Sequence, residues 1–130
     1  MIRRITLPPY DQYQISTFVI HHDTVYIGHF GGSVDESGNV LTTIEEQMDQ
    51  TMKNLKKALE EIQLNLDHVM KLTVILKDIE DFNKMHEVWV RYFNKDIYPV
   101  RTTITSKFVD EGCLVQIEGI ACLDNTITSQ

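Results

Sequence analysis

Five apolar residues, Met48, Met52, Leu55, Leu59 and Ile62, recur in steps of four, three, four and three. That spacing places them on one face of an α-helix. A helix with one apolar stripe must bury it against another layer. Thr42 and Thr43 precede the stripe, with Glu45 and Glu46 three residues on, a capping-box pattern for the helix start. A second stripe, Phe82, Met85, Val88, Trp89, Tyr92 and Phe93, follows Asp78 and Asp81, each a candidate cap. Pro99 closes that segment. The methionines and Trp89 read as core.

The other apolar segments have strand character. Residues 2–6 alternate weakly. Pro8 and Pro9 then interrupt regular structure, because neither can donate a backbone hydrogen bond. Residues 15–20 are rich in β-branched and aromatic types, His22-Asp23 reads as a turn, and residues 24–27 complete a hairpin. Residues 69–76 form a further strand, apolar enough for burial on both faces in places. Residues 102–106 and 113–123 read as the last two, joined by a turn at Asp110-Glu111-Gly112. The order is β-β-β-α-β-α-β-β, a single α+β domain over residues 1–124 with a polar, frayed tail at 125–130. Two helices cover one face of a sheet. The other face must stay wet or meet another subunit.

Composition narrows the function. Nineteen acidic against twelve basic residues give a net charge of −7. With Lys56-Lys57 as the longest basic run, the chain has little to offer a phosphate backbone, and no nucleic-acid partner is expected. No apolar run approaches the ~20 residues of a membrane span, and the N-terminus does not resemble a signal peptide. A cytoplasmic location is expected. Cys113 and Cys122 form no CxxC motif and no zinc-spaced cluster, so both read as reduced, buried small hydrophobes.

No nucleophile elbow, phosphate-binding loop, dinucleotide fingerprint or metalloprotease helix is present. Three smaller features stand out. Gly28-His29-Phe30-Gly31-Gly32 holds three glycines in five residues, which implies unusual backbone angles or close approach of another group. Pro99-Val100-Arg101 opens a strand with a cation. Gln116-Ile117-Glu118-Gly119 sets a carboxylate inside an apolar strand, where a charge is costly unless paired. Arg101 and Glu118 flank one expected hairpin and are expected to converge. The residues alone leave two readings: a structural salt bridge, which they favour, and a ligand site.

In order along the chain come Val25-Tyr26-Ile27-Gly28-His29, Gly38-Asn39-Val40, Gln47, and Gln50-Thr51-Met52-Lys53-Asn54-Leu55. Then follow Val69-Met70-Lys71-Leu72-Thr73-Val74-Ile75-Leu76-Lys77-Asp78, Asp81-Phe82 with Tyr92-Phe93, Pro99-Val100-Arg101-Thr102, and Ile117-Glu118-Gly119-Ile120-Ala121. This succession resembles the RidA family, the YjgF-like reactive-intermediate deaminases, over residues 12–123. The resemblance implies a chorismate-mutase-like α+β fold and a homotrimer with ligand clefts between subunits. It implies hydrolysis of small 2-imino or 2-enamino acids to 2-oxo acids and ammonia, with neither a metal nor an organic cofactor required. Arg101 would grip the substrate carboxylate, and Glu118 would orient water and shuttle protons. The resemblance places substrate-binding positions at Gly28, His29, Phe30, His86 and Thr103.

The chain departs from the family pattern at several of these positions. Ile27 stands where the family has serine, His29 where it has glutamine, His86 where it has asparagine, and Thr103 where many members have cysteine. A second reading follows: a non-catalytic module that binds a small carboxylate such as a 2-oxo acid. A third, a chorismate-mutase-type enzyme, needs several cations around a dicarboxylate, and only Arg101 is clearly placed. His29 reads either as a pocket donor or as a polar loop residue. From its place on a helix alone, His86 reads as surface or interface. His21, His22 and His68 read as turn or solvent residues.

Overall fold

A computed structural model describes residues 1–124, so the 125–130 tail lies outside the described residues. Six strands form one mixed sheet: β1 (Ile2–Ile5), β2 (Phe18–His21), β3 (Thr24–Gly31), β4 (Val69–Leu76), β5 (Val100–Thr105) and β6 (Val115–Cys122). Helix α1 (Ile44–Glu61) separates β3 from β4, and α2 (Phe82–Trp89) separates β4 from β5. The spatial order is β1-β2-β3-β6-β4-β5. Strands β4 and β5 run parallel, and every other neighbouring pair is antiparallel.

Local chemistry sets the element ends. Thr43 caps α1, its side chain accepting from the Glu46 backbone N–H, and its hydroxyl donates to the Glu46 carboxylate at 2.8 Å. Asp78 caps the short turn ahead of α2, while Asp81 makes no capping contact with its side chain. Helix α2 stops at Trp89, although the apolar stripe continues. Phe93 reaches the core from the following turn and packs its ring 4.6 Å from that of Trp89.

One face of the sheet is covered. Val25, Ile27, Leu72, Val74, Leu76, Val115 and Ile117 join Met48, Met52, Leu55, Leu59 and Met85 in a single core. The opposite face carries Tyr26, Thr73, Ile104, Glu118 and Ile120, with Tyr26 49% and Ile104 46% exposed. Cys113 is buried as expected, but Cys122 is only half-buried because it alternates onto this bare face. Among the described residues no helix is long and apolar enough to cross a membrane.

Gln47 ties the helix layer to the loop that leads into β6. It is fully buried. Its amide nitrogen donates to the carbonyls of Leu41 (2.9 Å) and Gly112 (2.8 Å), and its oxygen accepts from the Leu114 N–H at 2.8 Å. Gln47→Leu keeps the size but removes the partner of three backbone groups. It is expected to lower stability by about 2 kcal/mol, measured as a fall in the urea midpoint with the slope unchanged.

One expectation is overturned. Residues 113–123 do not form a hairpin with the preceding strand, because β4 lies between β5 and β6. The α2 crossover returns the chain parallel to β4 and places β5 at the sheet edge. Strand β6 then inserts between β3 and β4.

Candidate functional site

Arg101 is the second residue of β5 and pairs with Leu72 of β4. Residues opposite each other across a ladder share a face, so Arg101 lies on the helix-covered side. There it meets α2. Phe82, His86 and Trp89 stand at i, i+4 and i+7, one face of that helix. The guanidinium carbon sits 4.9 Å from the Trp89 ring centroid and 5.3 Å from that of Phe82. Such contacts hold a planar cation through the ring quadrupole. The Phe82 and His86 rings are nearly coplanar in orientation, 5° apart. Arg101 Nη1 donates to His86 Nδ1 at 2.9 Å.

Among the described residues no ion pair joins a carboxylate to Arg101. The ion pair among the described residues is Lys53–Asp49, on α1. Burial pulls the Arg101 guanidinium below its ordinary pKa. It remains a cation, with most of its five donors unspent. A pocket of about 380 Å³, lined by His86, Trp89, Val90, Tyr98, Pro99 and Arg101, opens beside it. Thr103 stands two residues along β5 on the same face.

Glu118 lies elsewhere. It pairs with Thr73 and so occupies the bare face. Two strand spacings, about 10 Å, separate β6 from β5. The expected convergence of Arg101 and Glu118 therefore does not occur within one protomer, and neither does a salt bridge between them. What Glu118 does face is β3. Ile27 pairs with Gly119 and Phe30 with Ile117, which leaves Gly28 and His29 opposite the single residue Glu118. This is a β-bulge. A Cβ at Gly28 would lie 3.2 Å from the carbonyl oxygens of Ser16 and Thr17, so the bulge is pressed against the chain entering β2.

His29 is exposed, and its carbonyl accepts from the Tyr10 hydroxyl at 2.7 Å. Burial pushes the Tyr10 phenol up, which keeps it a donor. Phe30 is 3% exposed, with its ring 5.5 Å from Tyr10 and 6.2 Å from Phe18. In this protomer Phe30 chiefly packs the core. A groove of about 1,120 Å³ runs past Tyr10, Tyr13, His29, Asn54 and Asp110. It is larger than the pocket at Arg101 and does not reach it.

The sequence-derived positions thus fall into two groups. Arg101, His86 and Thr103 gather at the β5 edge. Glu118, Gly28 and His29 gather at the β3 bulge. Phe82, Trp89 and Tyr98 belong to the first group and Tyr10 to the second, and none was singled out as a site residue. The signal for Phe82 and Trp89 was available: their spacing around His86 is one helix face.

The chain matches the family described as Endoribonuclease L-PSP over residues 5–123. It is 31% identical to the human protein named 2-iminobutanoate/2-iminopropanoate deaminase over 107 residues, 82% of this chain and 77% of that one. It is 36% identical to the RutC family protein UK114 of Drosophila melanogaster over 114 residues, 87% and 78% of the two chains. The match to a RutC family protein of Pyrococcus horikoshii is shorter and spans 61% of that protein. The solved structure of NMB1025 from Neisseria meningitidis, a member of the YjgF protein family, superimposes with a TM-score of 0.83 at 18% identity, covering 97% of this chain and 98% of that one. The shared fold is the chorismate-mutase-like sheet with two helices.

Proposed function

The chain belongs to the Endoribonuclease L-PSP (YjgF/Rid) family, and on that premise we propose that it hydrolyses small 2-imino and 2-enamino acids to 2-oxo acids and ammonia, in clefts between copies of itself in a homotrimer. The observation that carries this reading is Arg101, a half-buried guanidinium clasped by two rings with no anionic partner among the described residues. A planar fork in that state is suited to a carboxylate, which it can hold through two parallel hydrogen bonds. A net charge of −7 makes a phosphodiester chain a poorer guest than a small free acid.

The chemistry asked of the protein is modest. Water adds to the carbon of the C=N bond, and the carbinolamine then expels ammonia. Arg101 fixes the carboxylate and thereby the reacting carbon. Glu118, with no ion pair among the described residues, accepts a proton from the attacking water and returns it to the leaving nitrogen. Gly28 and His29 line the side from which Glu118 approaches. Arg101 and Glu118 lie on opposite faces of one sheet, so both reach one substrate only when two subunits meet. The bare face, with Tyr26, Ile104 and Ile120, supplies apolar surface for that meeting.

Complementation tests this directly. Arg101→Ala and Glu118→Gln, each alone, are expected to release no ammonia above buffer from a freshly generated imino acid. Unfolded together and refolded as an equal mixture, they are expected to recover roughly a quarter of wild-type activity, because random assortment restores that share of two-subunit sites. No recovery, with mixed trimers present, would place both groups in one subunit's site. Tight 2-oxo acid binding by the wild type with no hydrolysis would replace catalysis by carboxylate binding.

A further inference from the structure

The Arg101–His86 contact joins two groups that ordinarily compete for the same partners. A guanidinium has only donors, so His86 Nδ1 must offer its lone pair, and the imidazole proton sits on Nε2. The imidazole is therefore neutral while this bond stands. We propose that His86 holds the unliganded Arg101 in place and takes up a proton when a carboxylate binds, so that a guanidinium–imidazolium pair grips the anion. This rests on the reading of Arg101 as the carboxylate site and adds a proton to its binding reaction.

The geometry restricts how Arg101 can move. The rings of Trp89 and Phe82 flank the guanidinium, and the bond to His86 fixes which N–H groups remain outward. Without an anion, protonating His86 breaks that bond and sets two positive charges in contact. With a carboxylate present, its charge offsets one of them, and the imidazolium becomes an additional donor to it. Linkage makes the effect reciprocal: if the anion favours the proton, the proton favours the anion to the same degree.

The surroundings add little competing charge. The titratable groups beside His86 in the pocket are Arg101 of β5 and Tyr98 of the loop before it. One turn away on α2 and just beyond it are Phe82, Asn83, Trp89 and Val90, all uncharged. Glu87 is the adjacent residue and points round the helix.

Pyruvate is the probe, and titration calorimetry in buffers of different ionisation heat is the measurement. The wild type is expected to bind several-fold more tightly near pH 6 than near pH 8 and to take up about half a proton near neutrality. His86→Asn still offers an acceptor to Arg101 but cannot gain a proton, so it is expected to bind with no pH dependence and no proton uptake. Pyruvate binding that Arg101→Ala abolishes, but that is equal at both pH values in the wild type, overturns the coupling and leaves the carboxylate site standing. Binding that Arg101→Ala does not change, or no binding at all, overturns the site and the coupling together. A ligand-free check uses long-range ¹H–¹⁵N spectra. His86 is expected as the Nε2–H tautomer, with that preference lost in Arg101→Ala, and an Nδ1–H tautomer in the wild type contradicts the tether.

Discussion

Arg101→Ala is expected to lower imine hydrolysis by at least about 100-fold, down to the rate in buffer, while the protein stays folded. The two halves of that expectation have separate causes. Losing the guanidinium removes both the charge and the fork that orient the substrate, and a single preorganised donor at a reacting centre is typically worth about 10²–10³ in rate. Stability changes little because Arg101 forms no ion pair among the described residues. What it loses is two ring contacts and the hydrogen bond to His86, together about 1–2 kcal/mol. Arg101→Lys separates charge from shape. A lysine keeps the charge but has no planar face to lie against Trp89 and Phe82 and no fork for a carboxylate. Its activity is expected to fall about tenfold or more, chiefly through KM. Ammonia release from imino acid generated in place reads the rate, and urea unfolding controls for the fold. Wild-type activity in Arg101→Ala would remove Arg101 from the site.

How much of the fold could be read in advance depended on how strongly each segment's own pattern constrained it. Strand β4 matches its expected residues because a β-branched, apolar run in an interior strand, paired on both sides, tolerates little else. Helix α1 begins at its capping threonine because the cap and the stripe agree. Strand β3 runs on to Gly31, four residues beyond Ile27, because the bulge at Gly28 and His29 absorbs the irregularity that the glycines advertise. The second helical stripe overstated α2, since Tyr92 and Phe93 need only burial and obtain it from a turn; Tyr92 hydrogen-bonds Asp49 of α1 from there. Adjacency in sequence misled most. β5 and β6 are consecutive, yet a β-α-β crossover had already spent the neighbouring place on β4.

The site was legible in its residues and not in its geometry. Strand β6 reads clearly: Val115, Ile117, Gly119 and Ala121 face the core, so Glu118 faces out. Strand β5, Val-Arg-Thr-Thr-Ile-Thr, has no such bias, and its inward residues are Arg101 and Thr103. Nothing in that hexapeptide says which set turns toward the helices. The ladder to Leu72 decides it, and with it the separation of Arg101 from Glu118 within the sheet.

Gly119→Ala is expected to cost about 3 kcal/mol or more, the largest stability change argued for this chain. Gly119 lies on the core side of β6, paired with Leu72 on one flank and Ile27 on the other. A Cβ there would overlap the carbonyl oxygen of Lys71 and sit 3.0 Å from Leu72 Cδ2. A side-chain obstacle can rotate aside, but the carbonyl belongs to the β4 backbone, just past the irregularity between Val69 and Lys71. Making room means parting β4 from β6, whose separation the ladder sets at about 4.8 Å. The shift reaches Glu118, one residue away, so activity is expected to fall in the fraction that remains folded. Gly38→Ala is the contrast. Its left-handed backbone (φ 85°) disfavours a side chain, but no atom lies within 4 Å of the added carbon, so only about 1 kcal/mol of backbone strain is expected. Urea unfolding of the two variants separates packing from backbone preference. Equal midpoints would mean that β4 does not approach β6 as closely as the register at Gly119 requires.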